Sequence, residues 1–378
     1  MAANAFLNPS SASTGTKAQQ REEARKTQEH VRQMCVRGGE RVPPYELVEL
    51  IGKGSYGRVF MSRSIEHAKM VAVKIIEIDS SDYGEDIRNR DNAIKEYVNE
   101  IRILKQLKDS RAQNVNILYD AFPLQSQMWI VSEYCPGGSV HTLMKASPTG
   151  LEEQYIIPIA RELAVALKSV HDAGIVHRDV KAGNVLITAD GRVQLCDFGI
   201  SGIMESELSK RSTFIGTPNW MPPELLNSNP DFGGDPNHHL SYGNEVDCWA
   251  FGCTLIEMAT GQPPNARTRH FDLVSALMKA LPKLEGDRFS EGLRDLVSFC
   301  LQEKPQDRPS ADSILKHQYI ANTSKRYPTT SLVEMVQRYL MWEQQGGQRQ
   351  SLFNPTGADG FDELSGDPAD PDDDWNFS

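Results

Sequence analysis

The chain has 378 residues, 39% hydrophobic and 24% charged, a composition typical of a folded protein with one or two domains. Its net charge of −11 comes largely from eight acids within residues 359–374; the remainder carries only −3, so we expect no nucleic-acid partner. No apolar run is long enough to span a bilayer and no secretory signal is visible, while six cysteines without metal-ligand spacing indicate free thiols in the cytoplasm.

Residues 1–44 begin with small polar residues and continue with a charged, helix-prone stretch that has few apolar positions. Such a stretch can bury little apolar surface, so it predicts a flexible extension with a nascent helix. Pro43 and Pro44 end this extension, and ordered structure is expected to begin at Tyr45.

Two strand-like runs flank the glycine-rich segment from Gly52 to Gly57, which follows the pattern G-x-G-x-x-G. The pattern alone is weak, because dinucleotide-binding folds share it. Those folds place a helix after the glycines, whereas here the run RVFMSRS predicts a strand. We therefore expect a hairpin whose backbone can approach phosphates closely.

The run MVAVKIIEI predicts a buried strand that contains a lysine, Lys74. Its apolar neighbours bury the stem of the side chain, so the ammonium needs an anion, unless the lysine lies at a strand edge and reaches solvent. A helix is predicted from about residue 92 to 107 by apolar residues at three- and four-residue spacing. It offers two carboxylates as partners, Glu96 and Glu100.

Residues 176–199, VHRDVKAGNVLITADGRVQLCDFG, contain two carboxylates separated by two short β-rich runs and a tight turn. A hairpin of this length brings both carboxylates, Asp179 and Asp197, to one end of the structure. Lys181 and Asn184 follow closely after the first carboxylate. Carboxylate and amide oxygens can ligate Mg²⁺, and a lysine can neutralise a moving phosphoryl group, so the pattern predicts a site for magnesium and a polyphosphate.

The succession H-R-D-x-K-x-x-N and D-F-G resembles the catalytic and metal loops of the eukaryotic protein kinases. The resemblance implies an α+β fold with two lobes: a small N-lobe with an antiparallel β-sheet and one helix, and a larger, mostly helical C-lobe. The implied parts of the chain are a flexible extension (1–44), a kinase domain (45–320, divided into N-lobe 45–134 and C-lobe 135–320), an amphipathic C-terminal helix (321–345) and a disordered acidic tail (346–378).

The same resemblance implies roles for the polar residues. Asp179 would orient the acceptor hydroxyl and take its proton, Lys181 would stabilise the phosphoryl group in flight, and Asn184 and Asp197 would hold Mg²⁺. Lys74 would place the ATP phosphates while paired with a helical carboxylate, and Glu100 matches the family position for that partner.

The run MWIVSEYCPGG resembles the kinase gatekeeper strand and hinge, with a small serine, Ser132, at the gatekeeper position. Glu133 to Cys135 would offer backbone hydrogen bonds to adenine. The residues that the resemblance assigns to ATP binding are Ile51, Gly52, Lys53, Gly54, Ser55, Tyr56, Gly57, Val59, Ala72, Lys74, Ser132, Glu133, Cys135 and Leu186.

The segment KRSTFIGTPNWMPPEL resembles the activation segment of the sterile-20-like kinases, specifically the germinal-centre subgroup. The resemblance implies that Thr213 is phosphorylated and that Arg178 receives the phosphate, the alternative being an unmodified loop residue. It also implies that Thr217 hydrogen-bonds near Asp179 and Lys181, as in serine/threonine kinases.

Further positions follow from the same likeness. Glu224 is expected to pair with Arg308, and Asp247 is expected to brace the catalytic loop. His171 is expected to be an ordinary helix residue. An apolar face that contains Leu332, Val336, Tyr339 and Leu340 is expected to dock the C-terminal helix on the domain or on a partner.

The chain ends with three aspartates followed by Trp375, Asn376, Phe377 and Ser378. Two aromatics two residues apart after an acid run suit a hydrophobic pocket with a basic rim. The pattern resembles the W-x-F tail through which the STRAD pseudokinases bind an armadillo-like scaffold, which implies such a partner for Trp375 and Phe377. The alternative is an inert solvated tail.

The predicted function is transfer of the γ-phosphoryl group of ATP to serine or threonine of protein substrates, with Mg²⁺ as cofactor. The subgroup implies substrates that are themselves kinases, in polarity or cell-division signalling. One rival is a pseudokinase scaffold, against which the intact Lys74, Asp179, Asn184 and Asp197 argue. Another is a metabolic nucleotide-binding enzyme, against which the lack of G-x-x-x-x-G-K-[ST] argues. The sequence leaves open whether the chain forms a homodimer.

Overall fold

The computed structural model describes most of the chain between residues 15 and 345. The described ranges are 15–54, 57–77, 87–147, 149–198, 202–203, 217–228, 242–269 and 272–345. The predictions for Ser55, Tyr56, Thr213, Trp375 and Phe377, and for the tail 346–378, lie outside these ranges.

A five-stranded antiparallel sheet forms the first lobe, with the strand order β1-β2-β3-β5-β4. Its strands are β1 (Tyr45–Gly54), β2 (Gly57–Ser64), β3 (Lys69–Glu77), β4 (Leu118–Leu124) and β5 (Gln127–Glu133). Alternation along β3 sends Val71, Val73 and Ile75 to one face, where each is at most 3% exposed. Ala72 and Lys74 therefore point to the opposite face.

Helices dominate the second lobe, which also has short strands. The helices of the whole described chain are α1 (Gly15–Gly38), α2 (Ile87–Asp109), α3 (Val140–Met144), α4 (Glu153–Asp172), α5 (Pro223–Asn227), α6 (Glu245–Thr260), α7 (Leu273–Lys279), α8 (Glu291–Cys300), α9 (Ala311–Leu315) and α10 (Leu332–Gln344). The remaining strands are β6 (Ile175–Val176), β7 (Val185–Ile187), β8 (Val193–Leu195) and β9 (Gly202–Ile203). No helix in the described ranges has the length and apolarity that crossing a bilayer demands.

The core of the second lobe surrounds α6. Every residue of α6 from Val246 to Ala259 is buried, because α4 and α8 pack against this helix and the catalytic-loop region covers it. A helix that is buried all round sits at the centre of its domain rather than at the surface. It is thus a rigid base for whatever loops are attached to it.

The first structured element is α1, and here the sequence-based prediction of a flexible extension is wrong for residues 15–38. Ala24, Val31 and Cys35 are fully buried against the sheet face that carries Val71 and Val73. The Gln28 side chain also accepts a hydrogen bond of 2.7 Å from the backbone N–H of Leu47. The buried stripe consists of small and polar residues, so it lacks the strong apolar periodicity that predicts a packed helix.

Within the predicted N-lobe, residues 45–134, the described chain has the one expected helix, α2, while α1 from the preceding segment lies on the opposite face of the sheet. α1 covers the face that contains Trp129 and Val131, whereas α2 packs through Ile101 and Leu104 on the face that contains Ile130. Strand alternation makes this division possible, since neighbouring residues of one strand serve different helices.

The C-terminal helix α10 docks on its own domain. Leu332, Val336 and Tyr339 are buried in the core of the second lobe, and Leu340 is partly buried against it. The sequence left the choice between domain and partner open, and the structure places this face on the domain.

Replacing Val31 by serine is expected to lower the free energy of unfolding by about 2–3 kcal/mol, because the change removes buried methyl groups and buries a hydroxyl. The matched control is Val36→Ser on the same helix, where the side chain is 78% exposed, and it should change stability by less than about 0.5 kcal/mol. Urea titration of both variants measures this difference. Equal losses in the two variants would show that α1 does not pack on the sheet.

Candidate active site

A buried ammonium lies at the centre of the cleft between the lobes. Lys74 of β3 contacts Glu100 of α2, with 2.9 Å from Nζ to Oε1, and Asp197, with 3.4 Å from Nζ to Oδ1. Glu100 is 3% exposed. The predicted pair of Lys74 and Glu100 is therefore formed, and Lys74 also contacts the loop after β8.

Charge compensation keeps this cluster ionised. Burial alone would lower the pKa of the Lys74 ammonium, but attraction to Glu100 and Asp197 outweighs burial and raises it. Lys74 in turn holds the pKa of the Asp197 carboxyl below its usual range against the effect of burial, with help from His177 and Lys181. Asp197 is thus a carboxylate at neutral pH.

The hairpin of β7 and β8 brings Asn184 beside Asp197, as the sequence predicted. Val185 pairs with Leu195, and the backbone N–H of Cys196 donates to the Asn184 carbonyl at 2.9 Å. The Asn184 side-chain amide donates to the backbone carbonyl of Asp179 and to its Oδ2, both at 2.8 Å.

These contacts fit a magnesium ion. Because the NH₂ group of Asn184 is used by Asp179, its side-chain oxygen is the end left for a cation. The Asp197 side chain is 45% exposed, so it also offers an open oxygen. Mg²⁺ is commonly held by one or two protein oxygens together with substrate phosphates, and these two side chains suit that arrangement.

Three further side chains form a compact hydrogen-bonded group beside Asn184 and Asp197. Lys181 Nζ donates to Thr217 Oγ1 at 2.7 Å, and Thr217 Oγ1 donates to Asp179 Oδ1 at 2.7 Å. Lys181 Nζ also lies 3.2 Å from Asp179 Oδ2. The expected contact of Thr217 with both residues is therefore present, and it positions the Asp179 carboxylate.

Asp247 of α6 anchors the backbone before Asp179. Its carboxylate accepts hydrogen bonds from the backbone N–H groups of His177, at 2.8 Å, and Arg178, at 2.7 Å. Arg178 has a left-handed φ of 71°, a conformation that a non-glycine residue keeps only when its surroundings hold it. Burial would raise the pKa of Asp247, but hydrogen bonding and attraction from His171 and His177 lower it.

His171 is one of the residues that sequence reasoning missed. Its Nε2 lies 2.8 Å from Asp247 Oδ2, and the side chain is buried at the end of α4. Nothing local distinguishes this histidine from an ordinary helix residue, because its partner is 76 positions away.

Glu257 was also missed, although the sequence held a signal for it. Its Oε2 accepts hydrogen bonds from the backbone N–H of Ala182, at 2.9 Å, and from Trp220 Nε1, at 3.1 Å. Glu257 thereby ties the catalytic loop to the segment after Thr217. An acid that follows the apolar run of α6 needs buried hydrogen-bond partners, and this requirement could have identified Glu257 from the sequence as a residue with a structural role.

A stack of side chains holds Asp197 toward the cleft. The ring of Phe198 packs edge-on against His177, with 4.8 Å between centroids, and Phe198 is 1% exposed. His177 Nε2 also contacts the Cys196 carbonyl at 3.0 Å. Leu104 and Leu118 lie in the neighbouring cluster between α2 and the sheet.

Four of the predicted ATP-binding side chains of the N-lobe, those of Val59, Ala72, Lys74 and Ser132, share one face of the sheet. Val59 pairs with both Gly52 and Lys74, and Ala72 pairs with Ser132, so these side chains line a continuous surface. The other assigned positions in the described ranges are Ile51, Lys53 and Gly54 on β1, Gly57 on β2, Glu133 on β5, Cys135 after it and Leu186 on β7.

Gly57 is required by the backbone of the glycine hairpin. Its φ is 129°, and an added Cβ would lie 2.5 Å from the carbonyl oxygen of Ile75. The glycine segment joins two paired strands, as predicted, rather than a strand and a helix.

Polar side chains support the hinge from behind. The Glu133 carboxylate accepts from Gln194 at 2.6 Å and from Arg192 at 3.1 Å, while Asn116 donates to the Glu133 carbonyl at 3.1 Å. A carbonyl oxygen has two lone pairs, so this contact leaves Glu133 able to accept a further bond. Sequence reasoning missed Asn116, which precedes β4, and Arg192 and Gln194, which lie in the β7–β8 hairpin.

Two arginines that the sequence singled out, Arg178 and Arg308, are placed by contacts with other parts of the second lobe. Arg178 packs over the ring of Tyr242 at 5.1 Å from the centroid, and its Nε is buried without a hydrogen-bond partner among the described residues. Glu224 and Arg308 form the expected pair, with two bonds of 2.6 and 2.8 Å.

Comparison with known proteins decides the family. The protein kinase domain matches residues 45–320. The chain belongs to the protein kinase family. Two predictions are thereby confirmed. The chain is a eukaryotic protein kinase of the sterile-20, germinal-centre type, and its fold has two lobes.

The curated relatives are serine/threonine-protein kinases by name. KIC1 of Saccharomyces cerevisiae is 35% identical over 79% of this chain and 26% of its own length. The kinase ppk11 of Schizosaccharomyces pombe is 35% identical over 79% of this chain and 88% of its own length. Human serine/threonine-protein kinase 10 is 32% identical over 80% of this chain and 30% of its own length. The chain thus spans less than a third of two of these relatives and most of the other.

The hinge cysteine is expected to be unreactive in the folded protein. Burial, with Glu133 nearby, raises the pKa of the Cys135 thiol to about 12, and only the thiolate is nucleophilic. Iodoacetamide should therefore modify Cys135 near neutral pH at least about 100-fold more slowly than in denaturant, where a thiol pKa is about 8.5. Peptide mapping by mass spectrometry follows this position in both states. Comparable rates in the native and denatured protein would contradict the assignment.

Proposed function

We propose that this chain is an ATP-dependent serine/threonine protein kinase that transfers the γ-phosphoryl group to protein substrates. The observation that supports this function best is the contact of Lys74 with both Glu100 and Asp197, since it joins the two lobes at a phosphate-binding position. The hydrogen-bonded group of Asp179, Lys181 and Thr217 supplies the reaction side of the same cleft.

In the proposed reaction, the acceptor hydroxyl oxygen forms a bond to the γ-phosphorus while the bond to the bridging oxygen of ADP breaks. Asp179 orients the hydroxyl and receives its proton, because Thr217 and Asn184 already hold the carboxylate in one orientation. Lys181 stabilises the negative charge on the transferred group. Asn184 and Asp197 hold Mg²⁺, which neutralises charge on the phosphates when it is bound.

The proposed nucleotide site places adenine between the sheet and β7. Val59 and Ala72 cover the base from above and Leu186 from below, while the backbone of Glu133 and Cys135 bonds its edge. The hairpin from Gly52 to Gly57, including Ser55 and Tyr56, covers the phosphates, whose charge Lys74 meets. Ser132 is a small gatekeeper beside this site.

Regulation by phosphate at Thr213 is part of the proposal. The buried Nε of Arg178, which has no hydrogen-bond partner among the described residues, supports an anion site at the catalytic loop. Phosphate on Thr213 would bond there and order the activation segment. We place this kinase in the cytoplasm, with other kinases in polarity or cell-division signalling as its substrates.

The function is tested by replacing Asp197 with alanine. Loss of this carboxylate removes a magnesium ligand and one partner of Lys74, so ADP production from Mg²⁺-ATP should fall by about 10²–10³-fold. The control is Asp312→Ala, an exposed carboxylate on α9 that pairs with Lys316, and it should retain wild-type activity. Mass spectrometry of the incubated wild-type protein should find phosphate on Thr213. A wild-type protein that neither binds Mg²⁺-ATP nor produces ADP would refute the proposed function.

We further propose that the tail binds an armadillo-like scaffold through Trp375 and Phe377. In the full chain, Trp375→Ala or Phe377→Ala should weaken binding to a purified scaffold of this class by at least about tenfold, because buried aromatic anchors dominate such interfaces. Asn376→Ala, between the two aromatics, is the control and should bind like the wild type. Calorimetry measures all three, and equal affinities throughout would leave the tail without this role.

A further inference from the structure

The helices near the two ends of the described chain are anchored to different lobes. α1 is bound to the sheet of the N-lobe through fully buried Ala24, Val31 and Cys35. α10 is bound to the C-lobe, where Leu332 and Val336 are buried in the main core. Each helix therefore moves with its own lobe.

α10 also lies directly behind the hinge. A Cβ added to Gly137, which follows the hinge, would be 3.0 Å from a methyl group of Val336. The turn before α10 is equally close to the β7–β8 hairpin, since a Cβ on Gly191 would be 2.4 Å from the Thr329 carbonyl oxygen. This helix consequently rests on the segment about which the lobes would rotate.

An ion pair connects the two helices. Lys17 Nζ of α1 lies 2.9 Å from Glu343 Oε2 of α10, although the two residues are 326 positions apart in the chain. The Glu343 side chain is 9% exposed and that of Lys17 is 33% exposed. Water screens such a half-buried pair less than a surface pair, so it is worth more than the usual exposed contact.

The neighbouring turn of α1 buries a polar side chain. Gln20 lies one turn after Lys17 on the same side of the helix, is 1% exposed, and has no hydrogen-bond partner for either amide atom among the described residues. Burying an unpaired amide costs free energy, so the Lys17–Glu343 ion pair is a favourable contact beside an unfavourable one.

We propose that α1 and α10 form a clasp behind the hinge, and that the Lys17–Glu343 ion pair sets how readily the two lobes open. The hinge then does not rotate alone, because rotation of one lobe against the other displaces Lys17 relative to Glu343 and so disturbs the ion pair. Lobe opening is the step that releases nucleotide from a closed cleft. This consequence rests on the proposed function, whereas the clasp itself does not.

The contact is tested directly by carbodiimide coupling, which joins an amine and a carboxylate only when they touch. Wild-type protein should give a Lys17–Glu343 cross-linked peptide in mass spectrometry, and Lys17→Arg, which keeps the charge but lacks a reactive amine, should not. The exposed pair Lys168–Asp172, 2.6 Å apart, is the internal positive control in both proteins. Coupling of this control without coupling of Lys17 to Glu343 would overturn the proposal.

The effect on the lobes is tested by reversing the charges. Lys17→Glu and Glu343→Lys should each release a fluorescent ADP about fivefold faster, the factor that ~1 kcal/mol represents at 25 °C, and the double swap should restore the wild-type rate. Arg25→Glu is the matched control, because this exposed residue of α1 pairs with Glu22 of its own helix and with no other described residue. Wild-type release from either single variant, no restoration in the double swap, or faster release from Arg25→Glu would refute the clasp.

A second readout needs no nucleotide. Spin labels at Ile65→Cys and Met278→Cys, which are 66% and 74% exposed on different lobes, should report a broader distance distribution in Lys17→Glu than in the wild type. If the protein bound no ADP, the proposed function would fail, and the label distances would still decide the clasp. Identical distributions would refute it.

Discussion

The structure depends on one buried positive charge that two acids neutralise. An ammonium in the position of Lys74 would be expelled from the sheet if it were unpaired, because desolvation of a charge is costly. Glu100 and Asp197 remove this cost only when α2 packs on the sheet and the β7–β8 hairpin points at the cleft. The ion cluster therefore makes the N-lobe, α2 and the metal loop interdependent.

In the C-lobe, buried acids rather than a lysine hold separate parts of the structure together. Asp247 and Glu257 both lie in α6, the most buried helix, and both hold backbone N–H groups of the catalytic loop. A buried carboxylate that accepts several hydrogen bonds fixes the orientation of the groups that donate them, because loss of any donor leaves part of the charge unsatisfied. The hydrogen bonds to Asp247 hold the strained backbone at Arg178 in place, and this backbone in turn positions Asp179.

The N-lobe is also supported by helices from outside the part of the chain that matches the kinase domain. α1 packs on the sheet face opposite α2, so each face of a small five-stranded sheet carries a helix. α10 covers the hinge from the other lobe and meets α1 at Glu343. Elements outside residues 45–320, the part that matches the kinase domain, thus contact both the sheet and the hinge.

The sequence by itself determined the elements whose signals are local. Strand-like runs predicted β1, β2, β3 and β5, and a tight turn between β-rich runs predicted the hairpin that unites Asn184 and Asp197. The resemblance to the kinase family implied the pair of Lys74 and Glu100. Tertiary structure alone decided the packing of α1 and the partners of His171, Glu257 and Gln194. These contacts join residues that are far apart in the chain and depend on small or polar side chains. Their burial follows from the shape of the surfaces around them, which no local pattern of hydrophobicity records.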